Sequence, residues 1–138
     1  MSTTPIVFDT NIIVSALLSK EGSPAKIYRI FLTGALTLIY SPQILEEYQD
    51  VLYRPYLQIP HADVDIVINA IRQYGKEVWV MPQSVGIMPD EDDRVFYDAA
   101  KSTGAYLITG NTKHYPCEPF ILTPSEFLNL RLDFTSSP

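Results

Sequence analysis

Pro5-Ile6-Val7-Phe8-Asp9-Thr10-Asn11 is the stretch that decides the fold. The first four residues form an apolar run that is long enough for a buried strand and too short for a helix. Three short polar residues follow at once, and sites in parallel α/β sheets form outside the carboxyl ends of the strands. Asp9 is therefore a candidate functional residue. The alternative explanation is that Asp9 caps the helix that follows.

Outward from this stretch, strand-like and helix-like patterns alternate along the chain. Strands are predicted at residues 5–8, 36–40, 77–81, 105–108 and 120–122, and helices at residues 10–18, 24–33, 42–53, 62–74, 93–102 and from 124 onward. The alternation predicts an α/β domain with a mainly parallel sheet of four or five strands between helical layers, a three-layer α/β/α sandwich. No linker, repeat or low-complexity segment divides the chain, so one domain over residues 1–138 is expected.

Local signals predict helix starts and core positions. A hydroxyl residue followed by proline marks three helix N-termini, with Ser23, Ser41 and Thr123 as the expected caps. Ile66 is expected on the buried side of the fourth helix. Trp79 lies within the predicted third strand and is expected in the core.

Composition limits the classes of function. The chain has 138 residues, 46% of them hydrophobic, and carries 10 Lys+Arg against 16 Asp+Glu, for a net charge of -6. This balance argues against binding nucleic acid through a broad basic surface, but it allows acids concentrated around a cation and leaves room for a basic protein partner. The lone Cys117 and the absence of a leader-like or membrane-length apolar run predict a cytoplasmic protein with no membrane association.

A second candidate acid lies on the helix after the second strand. At about 100° per residue, Glu46 projects opposite the apolar face, whereas Glu47 lies at its edge beside Ile44 and Val51. A carboxylate at a core boundary needs a hydrogen bond, an ion partner or a metal. Glu47 is therefore the candidate, and Glu46 is expected in solvent.

The acidic run Asp90-Glu91-Asp92-Asp93 supplies a third candidate. Asp92 is expected to cap the next helix, Glu91 to be exposed, and Asp98 to lie on the outer face of that helix. Asp93 projects to the edge of the buried face, as Glu47 does. Three carboxylates aimed at one end of the sheet suit a hard cation such as Mg²⁺ or Mn²⁺.

With these residues identified, the chain resembles the PIN-domain family, specifically the toxin-type PIN ribonucleases of bacterial toxin–antitoxin systems. The resemblance covers nearly the whole chain and rests on four pieces in order, Val7–Asn11 with Val14–Leu17, Ser41–Leu52, Asp90–Phe96 with Ala99–Ala100, and Leu107–Asn111. It implies a PIN-like fold and a metal-dependent ribonuclease in which Asp9, Glu47 and Asp93 are the catalytic, metal-binding acids.

The loop after the fourth strand departs from the family pattern. Where the family often has a further carboxylate, this chain has Asn111 and His114. Asn111 can instead hold a metal-bound water, and Asp90 or Asp92 can substitute as a ligand. The hydroxyls of Thr10 and Thr109 would support the ligands, together with the Asn111 amide.

The resemblance implies metal-assisted hydrolysis of single-stranded RNA, with the cation activating a water and stabilising charge on phosphorus. Asp9 and Asp93 would bind the cation, and Glu47 would bind it or orient the water. Phosphate contacts are expected from three nearby residues, Arg94, Lys113 and His114. A cognate antitoxin and a homodimer are also implied.

Three other interpretations compete with this one. A phosphotransfer receiver domain would need an acidic pair after the first strand and an acid after the third, where this chain has Met81–Ser84. A haloacid-dehalogenase-type phosphatase would need an acid at Asn11. The stronger rival is a PIN domain that has lost catalysis and only binds RNA or protein.

Overall fold

Five parallel strands form the sheet of the computed structural model, which describes residues 3–82 and 88–130. The strands are Thr4–Phe8 (β1), Leu36–Tyr40 (β2), Lys76–Glu77 (β3), Tyr106–Ile108 (β4) and Ile121–Leu122 (β5), in the order β3-β2-β1-β4-β5. Each described pair of neighbours runs parallel. The predicted α/β class and parallel sheet are confirmed.

Six α-helices connect and cover the strands. They are Thr10–Leu18 (α1), Ser23–Leu32 (α2), Pro42–Leu52 (α3), His61–Tyr74 (α4), Arg94–Thr103 (α5) and Pro124–Leu128 (α6). Short 3₁₀ turns occupy Pro55–Leu57, Glu91–Asp93 and Thr112–His114. The sequence predicts a loop from Ser84 to Asp93, of which residues 84–87 lie outside the described residues. None of the described helices is long and apolar enough to cross a bilayer.

The strand order reverses its direction at β1. From β1 the chain moves to β2 and β3 on one side, then crosses to β4 and β5 on the other. Since such parallel connections are right-handed, the reversal places helices on both faces of the sheet. The carboxyl ends of β1 and β4 flank the point of reversal, which is where ligands bind in open sheets of this kind.

Two of the three predicted helix caps are confirmed. The Ser41 side chain accepts a hydrogen bond from the Ile44 amide, and Thr123 forms a reciprocal capping box with Glu126. The prediction for Ser23 was wrong by one residue. Helical hydrogen bonding begins earlier there, with the Lys26 amide donating to the Gly22 carbonyl, so Gly22 holds the cap position.

The third strand is shorter than predicted. β3 pairs with β2 through Ile39 and Tyr40, and the Val78 amide makes a last bond to the Tyr40 carbonyl. β2 ends at Tyr40, so the chain beyond Val78 has lost its partner strand. Trp79 is consequently 87% exposed, and its predicted place in the core was wrong.

The buried side of α4 also differs from the prediction at one position. Ile66 is 64% exposed. Because residues turn by about 100° each along a helix, Ile66 points away from the side that packs on the core. That side carries Val64, Val67, Ile68 and Ile71.

Candidate active site at the ends of strands β1 and β4

Asp9 follows β1 directly and is 6% exposed. Its amide donates to the Ile108 carbonyl at the end of β4, which fixes Asp9 between the two strands. Although Asp9 occupies the cap position of α1, its side chain makes no capping hydrogen bond. Instead, Asp9 Oδ2 accepts hydrogen bonds from Thr109 Oγ1 at 2.8 Å and from the Tyr115 hydroxyl at 3.0 Å. Helix capping therefore does not explain this buried acid.

Tyr115 is a site residue that the sequence reasoning missed. It is buried, and burial together with the neighbouring Asp9 charge raises its pKa, so the hydroxyl keeps its proton and donates to Asp9. Thr109 has a second contact, since its Oγ1 accepts from the Asn111 amide at 3.0 Å. The only sequence signal for Tyr115 was an aromatic residue in an otherwise polar loop.

Glu47 lies on α3 and is half-buried, whereas Glu46 is exposed, as the helical projection predicted. Glu47 Oε2 accepts a hydrogen bond of 2.9 Å from Thr10 Oγ1. Burial raises the pKa of Glu47, and the charges of Asp9 and Asp92 raise it further against the lowering effect of the Thr10 bond. A carboxylate with a raised pKa is a better proton acceptor near neutral pH.

Tyr48 ties α3 to the end of β1. This fully buried residue donates from its hydroxyl to the Phe8 carbonyl at 2.6 Å. The bond holds the helix that carries Glu47 beside the strand that ends at Asp9. Tyr48 thus combines a core position with a polar contact.

Asp93 ends the 3₁₀ turn Glu91–Asp93, just before α5. Its side chain is 15% exposed, and among the described residues its Oδ2 atom has no hydrogen-bond partner. Burial raises the pKa of Asp93 to about 6, with further contributions from the negative charges of Asp9 and Asp90. This acid is held in its place without the donors that normally stabilise a buried carboxylate.

Two expectations for the acidic run were wrong. Asp90, and not Asp92, caps the turn, by accepting a hydrogen bond of 3.0 Å from the Asp92 amide. Asp98 is buried, with 6% of its surface exposed. The reason is that α5 contacts β1, β2, β4 and α3, so the helix has no broad solvent face at Asp98. Glu91 is exposed as predicted.

The three residues proposed for phosphate contact lie in different environments. Arg94 is paired with Glu91 through contacts of 2.7 and 2.8 Å. Lys113 is exposed at the loop after β4. The His114 side chain is 49% exposed, with Nδ1 3.4 Å from Asp93 Oδ2 and Nε2 2.8 Å from the Asn111 amide nitrogen. His114 therefore lies beside Asp93.

The donor set fits a divalent cation. Ligand atoms of Asp90, Asp93 and His114 lie within 4.8 Å of one another, and the charges of Asp9 and Glu47 act on Asp93. Like-charged carboxylates repel unless a positive charge lies among them. The unpartnered Asp93 Oδ2 and the predominance of hard oxygen donors are what a Mg²⁺ or Mn²⁺ site requires.

Comparison with known proteins places this arrangement in a family. The model of the PIN domain matches residues 5–113, which include nearly all of β1, Glu47, the acidic run and the start of the loop after β4. The chain belongs to the PIN-domain family. PIN domains are generally nucleases and typically use a divalent metal, so this PIN domain has both the fold and the acids of that chemistry. It is also 28% identical over 108 residues to an uncharacterized protein of Methanocaldococcus jannaschii, an alignment covering 77% of this chain and 70% of the relative.

Proposed function

We propose that this PIN domain is a Mg²⁺- or Mn²⁺-dependent endoribonuclease that hydrolyses phosphodiester bonds of single-stranded RNA. The observation that carries the proposal is the buried, unpartnered Asp93 Oδ2, held beside the charges of Asp9, Asp90 and Glu47. A structural role for these acids would be expected to provide a hydrogen-bond donor for each of them, whereas the contact of Asp93 Oδ2 with His114 Nδ1, at 3.4 Å, is not a hydrogen bond. A site that receives a divalent cation has no such requirement.

Asp9 and Asp93 would hold the cation, with Glu47 beside them. When bound, the cation supplies a Lewis acid for phosphodiester hydrolysis. Thr109 and Tyr115 donate hydrogen bonds to Asp9 Oδ2 and fix its direction.

Glu47 has a separate role in this proposal. Thr10 holds its Oε2 atom, which leaves Oε1 available to orient the attacking water and accept its proton. The raised pKa of Glu47 suits that transfer near neutral pH. The hydrogen bond from Thr10 would therefore orient Glu47 both as a base and as a metal ligand.

Single-stranded RNA is the proposed substrate because Asp9 is almost fully buried at the sheet end. A flexible strand can bring one phosphate to such a recessed position, whereas a stiff duplex approaches it poorly. Lys113, exposed on the loop beside the site, is placed to meet a neighbouring phosphate.

We further propose a toxin role, with a cognate antitoxin as partner and a homodimer as the working form. The net charge of -6 supports a basic partner segment, and exposed Trp79 and Met81 offer apolar surface for protein contact. A small reading frame beside the gene, whose product copurifies with the chain and blocks its cleavage of RNA, is the expected finding. The cytoplasm is the compartment that this role requires.

Cleavage of single-stranded RNA by the wild type and by Asp9→Asn tests the catalytic proposal. With Mg²⁺ or Mn²⁺, the variant is expected to lose at least about a hundredfold in rate, because the amide weakens cation binding. Asp63→Asn on α4, which changes an exposed acid, is the matched control and should cleave like the wild type.

The same assay decides between catalysis and the rival binding function. The replacement of the usual loop acid by Asn111 and His114 is what favours a domain that only binds RNA or protein. Absence of cleavage by the wild type, or equal rates in the wild type and Asp9→Asn, would reject the enzymatic proposal.

A further inference from the structure

The His114 ring lies beside Asp93, while 49% of its side chain remains exposed. Its Nδ1 atom lies 3.4 Å from Asp93 Oδ2, yet the two atoms do not form a hydrogen bond, since Oδ2 is unpartnered among the described residues. Two ligands of one cation, each bound at about 2.1 Å, lie about 3.0–3.4 Å apart. The 3.4 Å between Nδ1 and Oδ2 lies at the upper end of this range.

Asp90 completes a compact donor set with these two residues. One oxygen of Asp90, together with Asp93 and His114, falls within 4.8 Å of the others. Asp90 Oδ1 is used to cap the 3₁₀ turn, so the carboxylate is fixed by the backbone rather than free to rotate. The Asp90 side chain is thus held in position by a neighbouring group.

Asn111 fixes the imidazole ring through the contact of 2.8 Å to Nε2. An amide can donate to Nε2 through its nitrogen or, turned by half a rotation, accept from Nε2–H through its oxygen. The structure has the amide nitrogen at Nε2, which puts a proton on Nδ1. Turning the amide gives the second arrangement, in which the lone pair of Nδ1 faces Asp93, as a metal ligand requires. Such supporting bonds commonly set the tautomer of a ligating histidine.

We infer that His114 is a direct nitrogen ligand of the cation and makes the site select Mn²⁺ over Mg²⁺. This inference rests on the proposed function and specifies its metal site. Mg²⁺ prefers oxygen ligands in a near-ideal octahedron, whereas imidazole nitrogen suits transition metals better. Asn111 is then a positioning residue that acts through His114.

Metal binding to the full chain, without RNA, tests the inference. Titration with MnCl₂ and MgCl₂ is followed by thermal stabilisation, and Mn²⁺-loaded protein is examined by electron spin echo modulation for coupling to a nitrogen nucleus. Wild type is expected to show nitrogen coupling and to bind Mn²⁺ at least about tenfold tighter than Mg²⁺. His114→Ala should lose the coupling, and His114→Asp should lose it and reduce the preference for Mn²⁺ by about tenfold.

His61→Gln is the matched control, because it removes the chain's other histidine, which is exposed at the start of α4. It should retain both the coupling and the preference. Mn²⁺ binding without nitrogen coupling in the wild type, or coupling that persists in His114→Ala, would overturn the inference and leave the proposed function intact. If neither cation binds the wild type, both fail.

Discussion

Asp9 and Asp93 are identical side chains in opposite environments at the same sheet end. Asp9 accepts two hydrogen bonds from buried hydroxyls, while Asp93 Oδ2 accepts none from the described residues. A buried carboxylate without donors is destabilised in its charged form. Cation binding is therefore expected to relieve more electrostatic destabilisation at Asp93 than at Asp9.

Asp93→Asn is expected to stabilise the cation-free protein at neutral pH. The folded-state pKa of Asp93 is raised from 3.8 to about 6. The protonated form of Asp93 therefore makes its full contribution to the free energy of unfolding below pH 3.8, and this contribution is lost as the pH rises through about 6. The amide removes a penalty of at most about 3 kcal/mol. Urea unfolding in a chelator, measured across this pH range, checks the result.

The same variant separates stability from function. With Mn²⁺ present, wild type should gain stability and Asp93→Asn should gain little, because a ligand is missing. Asp63→Asn, in an exposed position, should follow the wild type in both conditions. A destabilised Asp93→Asn in the chelator would contradict the description of Asp93 as a strained acid.

At the scale of single elements, the turn from α4 into β3 depends on close backbone packing. Gly75 ends α4, and a Cβ at this position would lie 2.6 Å from the Ile71 carbonyl oxygen and 3.0 Å from that of Leu38. Both neighbours are main-chain atoms, which cannot move aside as the end of a side chain can. The turn therefore requires glycine.

Gly75→Ala is expected to lower the free energy of unfolding by about 1–3 kcal/mol, the range for overpacking a tight site. Gly22→Ala is the control, since a Cβ there meets its nearest atom at 3.4 Å. Chemical denaturation of both variants measures the difference. Equal stability of the two would show that the turn can open without cost.

Elements with a strong local pattern were predictable, and those set by tertiary pairing were not. α1 was predicted to the residue, and α3 closely, because their apolar spacing is helical and Ser41 caps the latter. The length of β3 depends on where its partner β2 ends, which no signal within β3 records. Trp79 was misplaced for that reason.

The candidate site shows the same division. Glu47 and Asp93 could be chosen from helical projection, since each lies at the edge of a buried face. Tyr115 could not, because its contact with Asp9 joins residues 106 positions apart. The contact between His114 and Asp93 likewise depends on how the loop after β4 folds back toward the start of α5.

At the scale of the whole molecule, the negative charge predicts weak dependence of RNA binding on salt. Each phosphate neutralised on single-stranded RNA contributes a slope of about -0.7 in a plot of log K against log salt. Arg94 is occupied by Glu91, which leaves Lys113 as the exposed cation that we place at the site. RNA binding is measured by fluorescence anisotropy with Asp9→Asn, so that cleavage does not interfere. The plot for this variant should have a shallow slope.

Adding Lys113→Ala to Asp9→Asn should make the slope less steep by about 0.7, the value for one phosphate contact. Lys26→Ala, on an exposed position of α2, should leave it unchanged. A steep slope that survives Lys113→Ala would place the RNA on a different surface of the molecule.

The hydrogen bond between Asp9 and Thr109 also has a consequence for synthesis on the ribosome. Its partners lie 100 residues apart, and β4, which precedes Thr109, pairs directly with β1. A nascent chain that stops before β4 leaves β1 with one edge unpaired and Asp9 without its donors. Interrupted translation therefore yields fragments in which the candidate site at the end of β1 is incomplete.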